Sequence, residues 1–150
     1  MLFAWIGATL LGALVPAAIV SITMLGSTKF LVLALFAFAV TLGHALILGL
    51  PVALLYRAKR WHRLDVTVVT GFLIGVVPIG AFSWPVTNSS NSTVRFNGTL
   101  LSVDGVPTLA GWLEFLCSLG MLGNLGAVGA LVFWLTLRWS GALDDSSRSE

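Results

Sequence analysis

Four runs of apolar residues set the plan of this chain: Leu2 to Leu25, Phe30 to Tyr56, Val66 to Val86 and Leu113 to Leu137. About 20 residues at 1.5 Å each are enough to cross a hydrocarbon core of about 30 Å. Each run meets that length, and the single charge within them is Glu114, at an edge. Backbone amides in lipid must be paired within their own segment, so each run predicts a transmembrane helix. The expected fold is an all-α membrane protein, a four-transmembrane-helix bundle forming one integral membrane domain over residues 1–150. The first run has no positively charged leader and is longer than the apolar core of a signal peptide. It is expected to remain as an anchor.

The pattern changes between the third and fourth helices, in the segment 87–112. Asn97-Gly98 separates residues 92–96 from residues 99–103, and Asp104-Gly105 separates the latter from Val106-Pro107-Thr108. Two-residue turns of these types take positive φ and join antiparallel strands, so the segment predicts a small β-meander. If Phe96 pairs with Thr99 and Val103 with Val106, then Val94, Phe96, Leu101, Val103 and Val106 share one apolar face. That face is a candidate partner-binding surface; the alternative is that it packs on the bundle or the lipid.

Composition agrees with a membrane protein. Hydrophobic residues make up 57% and charged residues 9%, and the mean hydropathy is +0.99, outside the range of soluble domains. The pI of about 9.2 does not point to nucleic acid, because the net charge is only +2 and the basic side chains cluster at the ends of the spans. An N-in/C-in arrangement puts Arg57, Lys59, Arg60, Arg63, Arg138 and Arg148 in the cytoplasm and leaves Lys29 and Arg95 outside, as the positive-inside rule requires. The meander is then extracytoplasmic. Arg57, Lys59, Arg60 and Arg63 set topology and can also bind anionic lipid head groups. Trp5, Trp61, Trp134, Trp139 and Tyr56 are expected at the inner interface, and Trp84 and Trp112 at the outer one. Sequons at Asn88, Asn91 and Asn97 have meaning only in a eukaryotic secretory pathway.

Small residues recur where helices are expected to approach closely: Ala4, Ala8 and Gly12 in the first span, Ala39 and Gly43, then Ala45 and Gly49, in the second, and Gly71 and Gly75 in the third. Gly120, Gly123, Gly126 and Gly129 follow at a spacing of three, which turns about 60° around a helix per step and implies contact on more than one side. Pro16, Pro51 and Pro78 each remove an amide and free the carbonyl four residues earlier, at Gly12, Ile47 and Ile74.

Two polar side chains fall near the midplane. His44 lies about 21 Å, and Asn124 about 17 Å, along its helix from the outer end. They form a candidate intramembrane polar site, either an interhelical hydrogen bond or a proton or ligand site. Glu114 is expected to complement the dipole of a helix first turn. Cys117 is the sole cysteine, so no intrachain disulfide is possible. With no HExxH, CxxC or GxSxG and no intramembrane acid, no metal, cofactor or enzymatic activity is expected.

HALILGLP from His44 to Pro51, GFLIGVVPIG from Gly71 to Gly80 and DGVPTLAGW from Asp104 to Trp112 resemble uncharacterised small four-span bacterial inner-membrane proteins. The resemblance covers most of the chain and implies no activity, cofactor or catalytic residue. Small multidrug transporters carry a glutamate in the first span, and tetraspanins a cysteine motif in the large loop; both are missing here. Two functions are expected from the sequence. One is an integral membrane protein of the bacterial inner membrane that acts through a protein partner, as an accessory subunit or immunity-type protein, using its external loop. The alternative is a small transporter or channel, working as a homo-oligomer, that uses His44 and Asn124. Membrane lipids are partners in both.

Overall fold

The computed structural model describes residues 2–23, 30–58, 63–85 and 93–141. Lys29, Lys59, Arg60, Trp61, His62, Asn88, Asn91 and Arg148 lie outside the described residues, as do the expected run ends Leu25 and Val86 and the side chain of Arg57. The elements are α1 (Leu2–Ile22), α2 (Phe30–His44), a π-helical turn (Ala45–Gly49), α3 (Leu50–Ala58), α4 (Leu64–Phe82), strands β1 (Val94–Phe96), β2 (Thr99–Val103) and β3 (Val106–Pro107), and α5 (Leu109–Trp139). With α2, the π-turn and α3 taken as one continuous rod, four helices are long and apolar enough to cross a membrane.

The longest helix, α5, is central. It packs on α4 along one side and on α1 along another, while α1 also carries α2. Glycine makes both seams possible. On the α4 side, a Cβ on Gly75 would lie 2.5 Å from the Leu122 carbonyl oxygen, and Gly71 and Gly126 face each other backbone to backbone. On the α1 side, a Cβ on Gly129 would lie 2.6 Å from the Gly12 carbonyl oxygen, and one on Gly12 would lie 2.9 Å from the Gly129 oxygen. The three-residue spacing thus turns Gly123 and Gly126 to α4 and Gly129 to α1. The carbonyl of Gly12, which Pro16 deprives of its amide, is covered by the close approach of α5, a geometry suited to weak Cα–H···O contacts. The expected stripe in the second span has no such use: Gly43 has nothing within 4 Å of its Cβ position and Ala39 is exposed.

Buried side chains are few. Trp5, Ala8 and Leu137 form the cluster, joined by Ala53 and Phe133, and Trp5 meets Phe133 edge to face at 5.8 Å. Large apolar side chains cover the outside instead, among them Phe3, Leu31, Ile47 and Phe82. Hydroxyls in the helices turn inward to their own backbone: Thr9 donates to Trp5 O, Ser21 to Ala17 O and Thr136 to Val132 O, at 2.7–2.9 Å. That pattern satisfies each hydroxyl without water.

The two turns of the meander form as their sequences demand, with φ of 48° and 81° at Asn97-Gly98 and 49° and 76° at Asp104-Gly105. Phe96 pairs with Thr99 and Val103 with Val106, in an antiparallel sheet of order β1-β2-β3. One expectation changes. A bulge in β2 pairs Arg95 with Leu100 but Val94 with Ser102, leaving Leu101 as the extra residue. A shift of one residue reverses alternation beyond the bulge, so Val94 and Phe96 fall on one face and Val103 and Val106 on the other, with Leu101 in the bulge between. The single five-residue apolar face is therefore divided.

The helix after the sheet starts at Leu109, four residues before the apolar run. Thr108 caps it: its side-chain oxygen accepts from Gly111 N–H at 3.1 Å, and its hydroxyl donates to Leu100 O at 2.7 Å. The same residue ties sheet to helix a second time, through Thr108 N–H to Leu101 O at 2.9 Å. Gly111 lies directly on the Leu101 carbonyl, where a side chain has no room. This earlier start also moves Glu114 beyond the first turn, so it is not the dipole partner expected from the sequence.

Candidate functional site

Between α1, the α2–α3 rod, α4 and α5 lies a cleft of about 460 Å³, within the range of small-molecule sites. Each helix contributes residues at spacings of three and four, so that one stripe per helix faces inward: Trp5, Thr9, Gly12, Pro16 and Val20 on α1 show the pattern. The lining is overwhelmingly apolar. Around the π-turn the rod touches α1 and α4 together, and lower along the rod the Tyr56 hydroxyl hydrogen-bonds to the Thr70 hydroxyl on α4.

The polar groups in the lining are the side chains of Thr9, Thr41, His44, Tyr56, Thr67 and Thr70, with the indoles of Trp5 and Trp134. Thr41 donates its hydroxyl within reach of Ala13 O on α1, at 3.1 Å, and of Ala37 O on its own helix, at 3.0 Å. It pins α2 to α1. Thr70 also contacts Val66 O at 2.8 Å. His44 ends α2 at the start of the π-turn, with Nδ1 2.9 Å from Val40 O. A carbonyl can only accept, so Nδ1 carries the proton, and in the neutral ring Nε2 is an acceptor. The wide turn Ala45–Gly49 closes with Leu50 N–H donating to Ala45 O, just ahead of Pro51. π-turns interrupt α-helices mostly as single turns and often at functional sites.

The structure separates the two members of the expected polar pair. His44 lines the cleft, whereas Asn124 is exposed on the opposite side of α5, whose cleft-facing residues include Leu122, Leu125 and Gly126. Similar depth along two helices does not bring side chains together when their faces differ. Among the described residues no group of three or more His, Cys, Asp or Glu side chains is placed to hold a metal ion.

The two ends of the bundle carry different aromatic sets. Trp84, Trp112 and Phe115 stack edge to face at 5.5–6.1 Å beside the sheet. At the other end the Arg138 guanidinium lies 5.1 Å from the Trp134 ring centroid, and Arg63 pairs with Asp65 at 2.9 Å. Both partners of that ion pair are exposed to water, which screens it. On the sheet, Val94, Phe96, Val103 and Val106 are 40–61% exposed and Leu101 is half-buried.

Sequence reasoning missed the cleft. Tyr56 reads from the sequence as an interface anchor, and nothing there singles out Thr67 or Thr70; their spacing of three, at the depth of Tyr56, is the signal that could have marked them. Against protein-family models, curated proteins and solved structures, the chain finds no match.

Proposed function

We propose that the chain is a non-enzymatic integral membrane protein of a bacterial inner membrane, N-in/C-in, that binds an apolar membrane-soluble molecule in the cleft between its helices. The observation that carries this reading is the cleft itself: about 460 Å³ of apolar-lined space with a few inward polar groups. A space so lined does not hold water well, and in a bilayer the medium around the helices is hydrocarbon. His44 is then a polar contact within the site, and the transport reading no longer draws on Asn124.

The test is to fill the cleft. Ala37 lines it, while Ile47 points outward on the same rod at 73% exposure. Protein extracted from its own membranes and washed in detergent is expected to retain about one apolar molecule per chain by native mass spectrometry. Ala37→Phe should lose it with no loss of thermal stability, and Ile47→Phe should keep it. Equal retention by all three proteins refutes the reading.

A second reading, partner binding through the sheet, rests on the exposure of Phe96 and Val106. Four half-exposed side chains, two on each face of the sheet, present on the order of a few hundred Å² at most, below the roughly 800 Å² per partner of a standard interface. The partner would need to cover Leu109 and Phe82 at the neighbouring helix ends as well, which are 77% and 92% exposed. It would therefore be another membrane protein. Phe96→Ser with Val106→Ser should remove a stoichiometric companion chain from native-membrane extracts and leave the melting temperature unchanged; a companion retained by the double variant speaks against this use of the sheet.

A further inference from the structure

Resting on the cleft reading, we infer that the occupant is a long-chain amphiphile, held with its polar head at the Tyr56 end and its hydrocarbon tail running toward Val20. The first argument is one of shape. Along α1 the lining runs from Trp5 to Val20 and along α5 from Leu122 to Leu137, in each case fifteen steps, or about 22 Å at 1.5 Å per residue. An apolar-lined cleft of that length suits an extended hydrocarbon chain, which has no polar group to leave unpaired along it.

Length sharpens the class. One leaflet accounts for about half of the 30 Å hydrocarbon core, and the cleft exceeds that by about 7 Å. A tail that fills it passes the midplane.

Polarity sets the direction. The hydroxyls of Tyr56, Thr67 and Thr70 gather at one end, whereas Val20, Leu33, Ile79 and Leu122 line the other. A head group at the apolar end would lose hydrogen bonds it makes in water or at the interface, a cost of about 1–3 kcal/mol per polar group left unpaired. His44 sits partway along, so Nε2 there offers an acceptor to a hydroxyl on the chain and demands nothing of a chain without one. The Tyr56–Thr70 hydrogen bond joins the rod to α4 beside the head.

The experiment uses the full-length protein in lipid nanodiscs and two probes, a free long-chain fatty acid and a phosphatidylethanolamine bearing the same chain. Each probe is made in two forms, with a photoreactive diazirine next to the head or at the tail tip. Cross-linked residues are mapped by peptide mass spectrometry. The expected result is that the head-proximal diazirine labels α3 and α4 near Tyr56 and Thr67, the tail-tip form labels Val20, Leu33 or Ile79, and Ala37→Phe reduces both at least tenfold while Ile47→Phe does not. Labelling by the fatty acid alone identifies a free acid as the source, and labelling by both probes identifies a membrane lipid. Reversed or scrambled positions, or labelling of outward residues only, overturn the inference. If such labelling fails while Ala37→Phe still expels a co-purified molecule, the cleft reading stands and the long-chain assignment falls; if Ala37→Phe expels nothing, both fall.

Discussion

Gly75→Ala probes the seam on which the cleft is built. The added Cβ would stand 2.5 Å from Leu122 O, 3.1 Å from Leu122 C and 3.2 Å from Gly123 Cα, where ordinary contact begins at 3.4 Å. All three neighbours are backbone atoms that cannot rotate aside. Relief therefore requires α4 and α5 to part locally by about 0.9 Å, the difference between 3.4 and 2.5 Å. A gap of 0.5–1 Å forfeits roughly a quarter to a half of each dispersion contact across it, and overpacking of this kind costs about 1–3 kcal/mol. Alanine regains about 1 kcal/mol over glycine inside a helix. The difference leaves up to about 2 kcal/mol of net destabilisation, which the lost dispersion contacts keep above zero. Gly120 supplies the control on α5, because nothing lies within 4 Å of its Cβ position; Gly120→Ala should be neutral or stabilising by up to about 1 kcal/mol. The assay is reversible unfolding of the purified protein in mixed micelles of increasing SDS fraction, followed by circular dichroism. A Gly75→Ala protein as stable as the wild type, or a Gly120→Ala protein as weak as Gly75→Ala, would refute the packing argument.

Three further outcomes are expected. His44→Phe and Asn124→Leu should act additively in a double-mutant cycle, within about 0.5 kcal/mol, because one side chain lines the cleft and the other is exposed; a larger coupling would mean the two meet. In a Cys117→Ala background, Thr99→Cys on the sheet should react with an impermeant thiol reagent on intact cells and Ser140→Cys after α5 should not, the reverse pattern inverting the proposed orientation. Thr108→Ala should destabilise by about 1–2 kcal/mol through loss of the helix cap and speed hydrogen exchange across residues 94–107, while Thr108→Ser, which keeps the hydroxyl, should do neither; unchanged exchange in the alanine variant would show that the cap does not hold the sheet.

What could be read from the residues alone was whatever depends on length and local conformation. A run of about 20 apolar residues must form an internally bonded helix whatever its neighbours are, and Asn-Gly and Asp-Gly select tight turns through backbone sterics within two residues. Four long helices and the pairs Phe96–Thr99 and Val103–Val106 follow from that. The glycine spacing in α5 likewise foretold two contact sides, since the angle between residues three apart is a property of any helix. What tertiary structure decided is rotation and register. These helices are apolar all round, so hydropathy selects no inward face. Packing alone turned His44 toward the cleft and Asn124 away from it, and left Gly43 and Gly120 without neighbours. The bulge at Leu101 and the start of α5 at Leu109 have a similar origin: the Leu101 carbonyl seats on Gly111 and accepts from Thr108 N–H, a contact between sheet and helix that no local preference of either segment specifies. The cleft is the furthest from the sequence, because it is a space bounded by four helices and exists only once their faces are chosen.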